Sequence, residues 1–311
     1  MNHEPTTGPD PHRGAVVAGV DGSPEARAAV LWAAAEAGRR GLPLRIVHAS
    51  GTDTRTPYAS VETLERIRHE GHDLLVRTAD LVAERFPDLP VTRTLSHRQP
   101  AAALLDAAGD DGTIVVGNRG HGGFTALMLG SVGLDVASRA KAPVIVVRGD
   151  LERPRTGTVV AAVKGEEDHH WVRHAARAAR WREATLRLIT VWSPVSQVGE
   201  AVTMLDNVDE IAHERVHELH ELADRLREEF PGLTVTIEVV SGHSTAGRLV
   251  EATEQADLVV VSTHRKPLGL GRTLGRVTHA LLHHAHCPVE VVPRPKHEGD
   301  PLDRDAADEE V

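Results

Sequence analysis

Three glycines and a serine carry the most specific chemical signal in the chain. Gly117 and Gly120 are followed, nine residues later, by Gly130 and Ser131. They sit between a short β-branched run, Thr113-Ile114-Val115-Val116, and a new segment opening at Val132-Gly133-Leu134. Glycine takes backbone conformations closed to other residues and lets its N–H groups approach a ligand with no Cβ in the way. Placed between a buried strand and a helix start, such N–H groups and the helix dipole form a cradle for phosphate. A second chemical group stands near the N-terminus. Asp21 closes the run Val16-Val17-Ala18-Gly19-Val20 and opens Asp21-Gly22-Ser23-Pro24.

Other residue patterns compete with this one. His213-Glu214-Arg215-Val216-His217 is an H-E-x-x-H string, whose histidines share one helix face as a zinc hydrolase requires. Its neighbours Glu218, His220 and Glu221 read instead as the solvated face of a charged helix. His279 and His283 have i, i+4 spacing and leave a surface metal site open, with His284 and His286 beside them. Cys287 before Pro288 reads as a packing residue entering a strand, and Trp32, Trp171, Trp181 and Trp192 as core or interface residues. A P-loop is excluded, since no Gly-Lys dipeptide occurs, and the first strand is not followed by G-x-G-x-x-G.

Composition narrows the classes of partner. The net charge is −10 with histidine neutral, aromatic residues make up 3%, and no basic stripe is visible, which argues against nucleic acid. No apolar run has the ~20 residues of a membrane span. The single cysteine permits no internal disulfide, so a reducing, cytoplasmic setting is expected. Residues 1–13 read as a disordered leader without a secretory signal's apolar core, and 296–311 as a disordered acidic tail.

Stepping along the chain, strand runs alternate with helical segments. Strands are expected over 15–20, 44–49, 91–95, 113–116 and 142–147. Helices are expected over 25–40, with Ser23 as N-cap and Gly41 as stop, then over 61–86, 100–108 and from Ser131. This order builds a doubly wound, open parallel α/β sheet of five strands. Ligands in such sheets sit at the carboxyl ends of the strands, where strand order switches. Asp21 and the glycine loop both lie at such ends.

The pattern then repeats. Leu44-Arg45-Ile46 returns as Leu186-Arg187-Leu188, Phe86-Pro87 as Phe230-Pro231, Gly130 as Gly275, and Ala142-Pro143-Val144 as Cys287-Pro288-Val289. The chain therefore divides into one domain over 14–149 and a second over 157–295. Val17-Ala18-Gly19-Val20-Asp21-Gly22-Ser23 together with G-x2-G-x9-G-S resembles the universal stress protein family, closely over 14–148 and more loosely over 157–294. The resemblance implies two five-stranded α/β sandwiches docked as an intramolecular pseudo-dimer through their last strands, and leaves a homodimer of such chains open.

It also implies ATP, accompanied by Mg2+, in the first copy. Asp21 would meet the nucleoside with Gly19 and Val20 beside it, and Ala49 would offer backbone groups to adenine. Val116, Gly117 and Gly120 would line the approach to ribose and α-phosphate. Gly130, Ser131 and Val132 would hold the outer phosphates. Arg119 and His121 would add charge within the loop, an inference from their position alone. The second copy departs from the pattern: Lys164 replaces Asp21, Ser262 replaces Gly117, Arg265 replaces Gly120, and Arg276 replaces Ser131, so only Gly275 survives. The expected protein is a nucleotide-dependent stress-response regulator of bacterial type, with an unidentified protein partner and at most slow ATP hydrolysis. The alternatives are an interaction scaffold of the same fold and, more remotely, a zinc hydrolase on His213, Glu214 and His217.

Overall fold

The computed structural model describes residues 14–53, 60–120, 129–192, 208–241, 244–265 and 272–293. In the first repeat β1 (Val16–Val20), α1 (Pro24–Arg40), β2 (Leu44–Ala49), α2 (Val61–Arg85), β3 (Val91–Ser96), α3 (Pro100–Ala108), β4 (Thr113–Gly117), α4 (Ser131–Arg139) and β5 (Val144–Val147) follow one another. The second repeat gives β6 (Thr158–Ala162), α5 (His169–Trp181), β7 (Thr185–Trp192), α6 (Val208–Glu229), β8 (Val235–Ser241), α7 (Thr245–Ala252) and β9 (Leu258–Ser262). It continues with a short β10 (His264–Arg265) and β11 (Arg272–Thr273), then α8 (Arg276–His284) and β12 (Val289–Val292).

Local chemistry accounts for the ends of α1. Ser23 accepts a hydrogen bond from the Ala26 amide and Pro24 occupies the first turn. Gly41 ends the helix at φ 65°, a left-handed conformation that glycine adopts without penalty. Ala26, Ala29, Ala33 and Ala37 are all buried, so small side chains let α1 lie close on the strands. In the second repeat, Glu183 stands where Gly41 does and takes φ 53°, the only positive φ of a non-glycine residue among those described.

Strand order is β3-β2-β1-β4-β5-β12-β9-β6-β7-β8 in a single ten-stranded sheet. Every neighbouring pair is parallel except β5–β12, which runs antiparallel with Ile145 opposite Glu290. The pseudo-dimer thus docks through its last strands, as the resemblance implied. One core spans both repeats on the face carrying α3, α4, α7 and α8. The opposite face has a separate core for each repeat, with Trp32 packed against both.

Between those two cores lies a buried ion cluster. Glu36 on α1, fully buried, accepts from Arg40 Nε at 2.7 Å, Arg39 Nη1 at 2.9 Å and Arg182 Nη2 at 2.6 Å. Arg182 comes from the second repeat and lies over the Trp32 ring; Arg40 lies over Trp181. Burial alone would raise the Glu36 pKa, but Arg40, Arg182 and Arg39 outweigh it and bring the carboxyl down to about 2. Glu290 adjoins the cluster, 3.8 Å from Arg40, with Oε2 lacking a hydrogen-bond partner among the described residues. Burial raises its pKa, the Arg40 charge opposes that, and the Glu36 charge adds to it.

Trp171 is buried, as expected of a core residue, whereas Trp181 at the interface is 38% exposed, because Arg40 rather than a core covers its ring. Trp192 ends β7, and its side chain lies outside the described residues. Cys287 is buried with its thiol pushed up to about 12 by desolvation, which keeps it in the unreactive protonated form. No described helix is long and apolar enough to cross a membrane. The leader 1–13 and the tail from 296 fall outside the described residues.

Candidate functional site

β1 and β4 are adjacent and parallel, so Asp21 and the loop after Gly117 leave the sheet side by side at the switch in strand order. The Asp21 carboxylate is turned by its own neighbours. Oδ1 accepts from the Ser23 amide at 2.9 Å and the Ser23 hydroxyl at 2.6 Å, an Asx turn that also sets the Ser23 cap on α1. Oδ2 faces Gly120 so closely that a Cβ on that residue would overlap it. The loop's two ends are stitched together: Gly130 N–H donates to the Asn118 carbonyl at 2.9 Å, and Asn118 N–H donates to Val147 at 3.1 Å. Asn118, unremarked in the sequence reading, is therefore the tie that closes the loop; its amide and carbonyl, not its side chain, do this, so residue type offered no signal.

The three motif glycines have different physical reasons. At Gly117 a Cβ would come within 2.9 Å of the Glu25 backbone, so this glycine lets β4 pass the first turn of α1. At Gly120 the neighbour is the Asp21 carboxylate. At Gly130 the nearest described atom to an added Cβ is Arg119 Cα at 3.6 Å, so nothing among the described residues demands glycine there. Gly130 caps α4 with no side-chain hydrogen bond, and the first turn of α4 contains no acidic residue. The helix start keeps N–H groups directed outward and a positive dipole end unopposed by its own side chains. Ser131 is exposed there and Val132 half-buried; Arg119 is half-buried just before Gly120.

Gly19 has Leu104 of α3 3.1 Å from where a Cβ would stand, and the Val20 carbonyl is paired with His48 Nδ1 at 2.8 Å. Val116 is buried in β4 and Ala49 half-buried at the end of β2. The structure thus gathers Gly19, Val20, Asp21, Val116, Gly117, Arg119, Gly120, Gly130, Ser131 and Val132 around two adjacent strand ends, with Ala49 one strand away. His121 lies outside the described residues. A cavity of about 430 Å3 opens between α1 and α2, lined by Val20, Ser23, Ala26, Leu74, Thr78 and Leu81 among others. It touches the crevice only through Val20, Gly22 and Ser23. The loop's backbone donors, rather than this α1–α2 groove, have the chemistry for phosphate.

In the second repeat the same place is built differently. Lys164 is exposed, and its amide donates to Asp168 Oδ2 at 2.6 Å while Trp171 Nε1 donates to Asp168 Oδ1 at 2.7 Å. Asp168 is buried, so the carboxylate near this strand end is turned inward. The loop after β9 starts as an antiparallel pair, Arg265 with Arg272, where the first repeat has Gly120.

The rival metal readings meet ordinary surroundings. On α6, His217 is exposed and pairs with Glu221 at 3.4 Å, and Arg215 pairs with Glu218, while Leu219, Leu222 and Leu226 form the buried face. The His213 side chain lies outside the described residues. No group of three or more histidine, cysteine or acidic side chains is arranged for a metal among the described residues. His283, expected at the surface, is instead 8% exposed, because α8 packs against the first repeat and its Nδ1 takes the Leu129 N–H at 3.2 Å.

The universal stress protein family model matches residues 13–148 and 156–293. Universal stress protein Rv2005c of Mycobacterium tuberculosis is 32% identical over 294 residues, spanning 89% of this chain and 96% of its own. Among solved structures, a universal stress protein from Archaeoglobus fulgidus covers 92% of this chain and 98% of its own, with 14% identity and a TM-score of 0.66. PA1789 of Pseudomonas aeruginosa, described as functionally unknown, covers 96% and 99% at 16% identity and a TM-score of 0.61. At such identities the structural likeness is one of fold, and the names of the sequence relatives specify no reaction. With one family match on each repeat, this chain belongs to the universal stress protein family as a tandem, two-repeat member.

Proposed function

We propose that the chain is a nucleotide-binding regulator that holds one ATP in the crevice of its first domain, residues 14–149, while the second domain, 157–295, supports it. The observation that carries this reading is Gly130. Among the described residues nothing crowds a side chain at that position, yet glycine heads an open helix N-terminus beside Ser131, where an approaching phosphate would be kept away by a Cβ. The residues suit the ligand: the Ser131 and Val132 amides with the Ser131 hydroxyl for the outer phosphates, Gly130 for their close approach while its own amide holds Asn118, Gly120 and Arg119 for the inner phosphate, and Asp21 for the nucleoside's hydroxyls. Mg2+ would arrive on the phosphates, since Asp21 is the only carboxylate assigned to the crevice and Ser23 already engages it. The bound nucleotide supplies charge and bulk that order the loop, and the ordered loop is what a partner protein reads. No residue here is assigned to activate water, so the role is binding rather than turnover.

Calorimetric titration of the wild type and of Asp21→Asn with Mg-ATP tests the reading. Asparagine keeps an acceptor for Ser23 and removes the charge. One saturable site per chain, weakened in the variant, supports nucleotide binding; absence of heat in the wild type overturns it in favour of an interaction scaffold.

A further inference from the structure

The crevice is not built by the first repeat alone. Leu129, the residue before Gly130, donates its amide to Nδ1 of His283 on α8, 154 positions away in the second repeat, at 3.2 Å in a buried setting. An N–H donor on Nδ1 makes that nitrogen the acceptor, so the ring is neutral with its proton on Nε2. The ring is held by a tilted stack on His279, with centroids 4.3 Å apart. The first repeat grips the same helix end in return: Arg148, following β5, donates to the Leu281 and Leu282 carbonyls. These contacts clamp the last turn of α8 to the foot of the glycine loop.

The clamp is one-sided. In the repeat alignment that pairs Gly130 with Gly275, His283 corresponds to Ser138 and Leu129 to Leu274. Ser138 does not reach across; its hydroxyl donates to Asp135 within its own helix at 2.9 Å. Arg148 corresponds to Pro293, which has no donor to offer. Among the described residues, only the repeat whose glycine motif is intact receives a histidine from its partner repeat at this position.

We infer that His283 is a positioning residue for the first repeat's nucleotide loop, acting through the Leu129 amide to set the backbone that presents Gly130 and Ser131. This inference rests on the proposed nucleotide site, and its test separates the two. His283→Asn keeps an acceptor close to where Nδ1 lies; His283→Leu and His283→Ser, the latter copying the first repeat, do not. Amide hydrogen exchange of the segment from Leu129 to Leu134 is followed without nucleotide, and Mg-ATP affinity is titrated separately. The expected result is exchange faster by roughly fivefold to tenfold in the leucine and serine variants, with a matching loss of affinity, the size of one buried hydrogen bond. The asparagine variant should match the wild type in both. Equal exchange in all four proteins, or an asparagine variant as impaired as leucine, overturns the role. If the leucine variant does not fold, serine against asparagine makes the same comparison. Wild type that binds no ATP overturns the nucleotide reading, while the exchange data still decide whether His283 holds the loop.

Discussion

Gly120 lies against the Asp21 carboxylate, nearer than a β-carbon would allow, across the gap between the ends of two neighbouring strands. The two residues are 99 positions apart, and their contact joins the Asx turn that starts α1 to the loop that starts α4. Glycines that the packing requires and glycines that it does not can be told apart by what a methyl group would strike at each.

Gly130→Ala should fold as the wild type does, because its Cβ meets only ordinary contacts among the described residues. Its Mg-ATP affinity should fall by about tenfold or more, as one or two charge-assisted hydrogen bonds are lost. Gly117→Ala should show the reverse emphasis: the clash with the Glu25 backbone costs about 1–3 kcal/mol of stability. Urea unfolding and calorimetry on both variants check the contrast.

Restoring motif residues in the second repeat should not create a second site. Lys164→Asp with Arg276→Ser changes two side chains but leaves Ser262 and Arg265 where the first repeat has Gly117 and Gly120. Titration is expected to give one nucleotide per chain for this double variant as for the wild type; two would show that side chains alone had silenced the second repeat.

Acid should loosen the union of the two repeats. A carboxyl held at about 2, against an ordinary 4.5, contributes stability that is complete above pH 4.5 and is lost as the pH falls from there toward 2. The shift corresponds to about 3 kcal/mol. Thermal unfolding from pH 6 to pH 2 should show that loss in the wild type and not in Glu36→Gln. At neutral pH, Glu36→Ala should cost roughly 3–5 kcal/mol, since it leaves three arginines without their shared buried partner.

Glu290 should behave with the opposite sign. Its pKa is raised in the folded protein, so folding favours the protonated form, and stability is lost as the pH climbs from about 4.5 through the raised value. Glu290→Gln is neutral throughout and should be at least as stable as the wild type at pH 7, with the gap closing below pH 4.5. Denaturant midpoints at the two pH values decide it.

Glu183→Gly should stabilise the second repeat. A side chain at φ 53° carries a left-handed penalty of about 1–2 kcal/mol, partly offset by the greater unfolded-state freedom of glycine. A net gain of up to about 1 kcal/mol is expected by chemical denaturation, and a loss would show that the Glu183 side chain contributes more than its backbone costs.

Much of the fold is local information and was readable as such. Ser23-Pro24 starts α1 and Gly41 stops it because caps act on neighbouring amides. The valine and isoleucine runs become buried strands because nothing polar interrupts them. The phosphate motif could be found for the same reason: its residues cluster within one loop, and Asp21 within one turn. Comparing the repeats also located the motif replacements of the second copy, although side-chain replacement alone did not reveal that its loop would open as a strand pair.

What tertiary structure decided are the pairings across the junction. Antiparallel union of β5 and β12 brings Glu290 to the middle of a ten-stranded sheet, and it gathers Glu36, Arg40 and Arg182 into one charge cluster. It also turns His283 from a plausible surface metal ligand into a buried acceptor beneath the glycine loop. Such contacts leave no local trace, since their energy exists only once both repeats are folded and desolvate the same groups. The sequence alone determined two α/β repeats with one intact glycine motif; the docking of those repeats determined that His283 of the second accepts the Leu129 amide of the first.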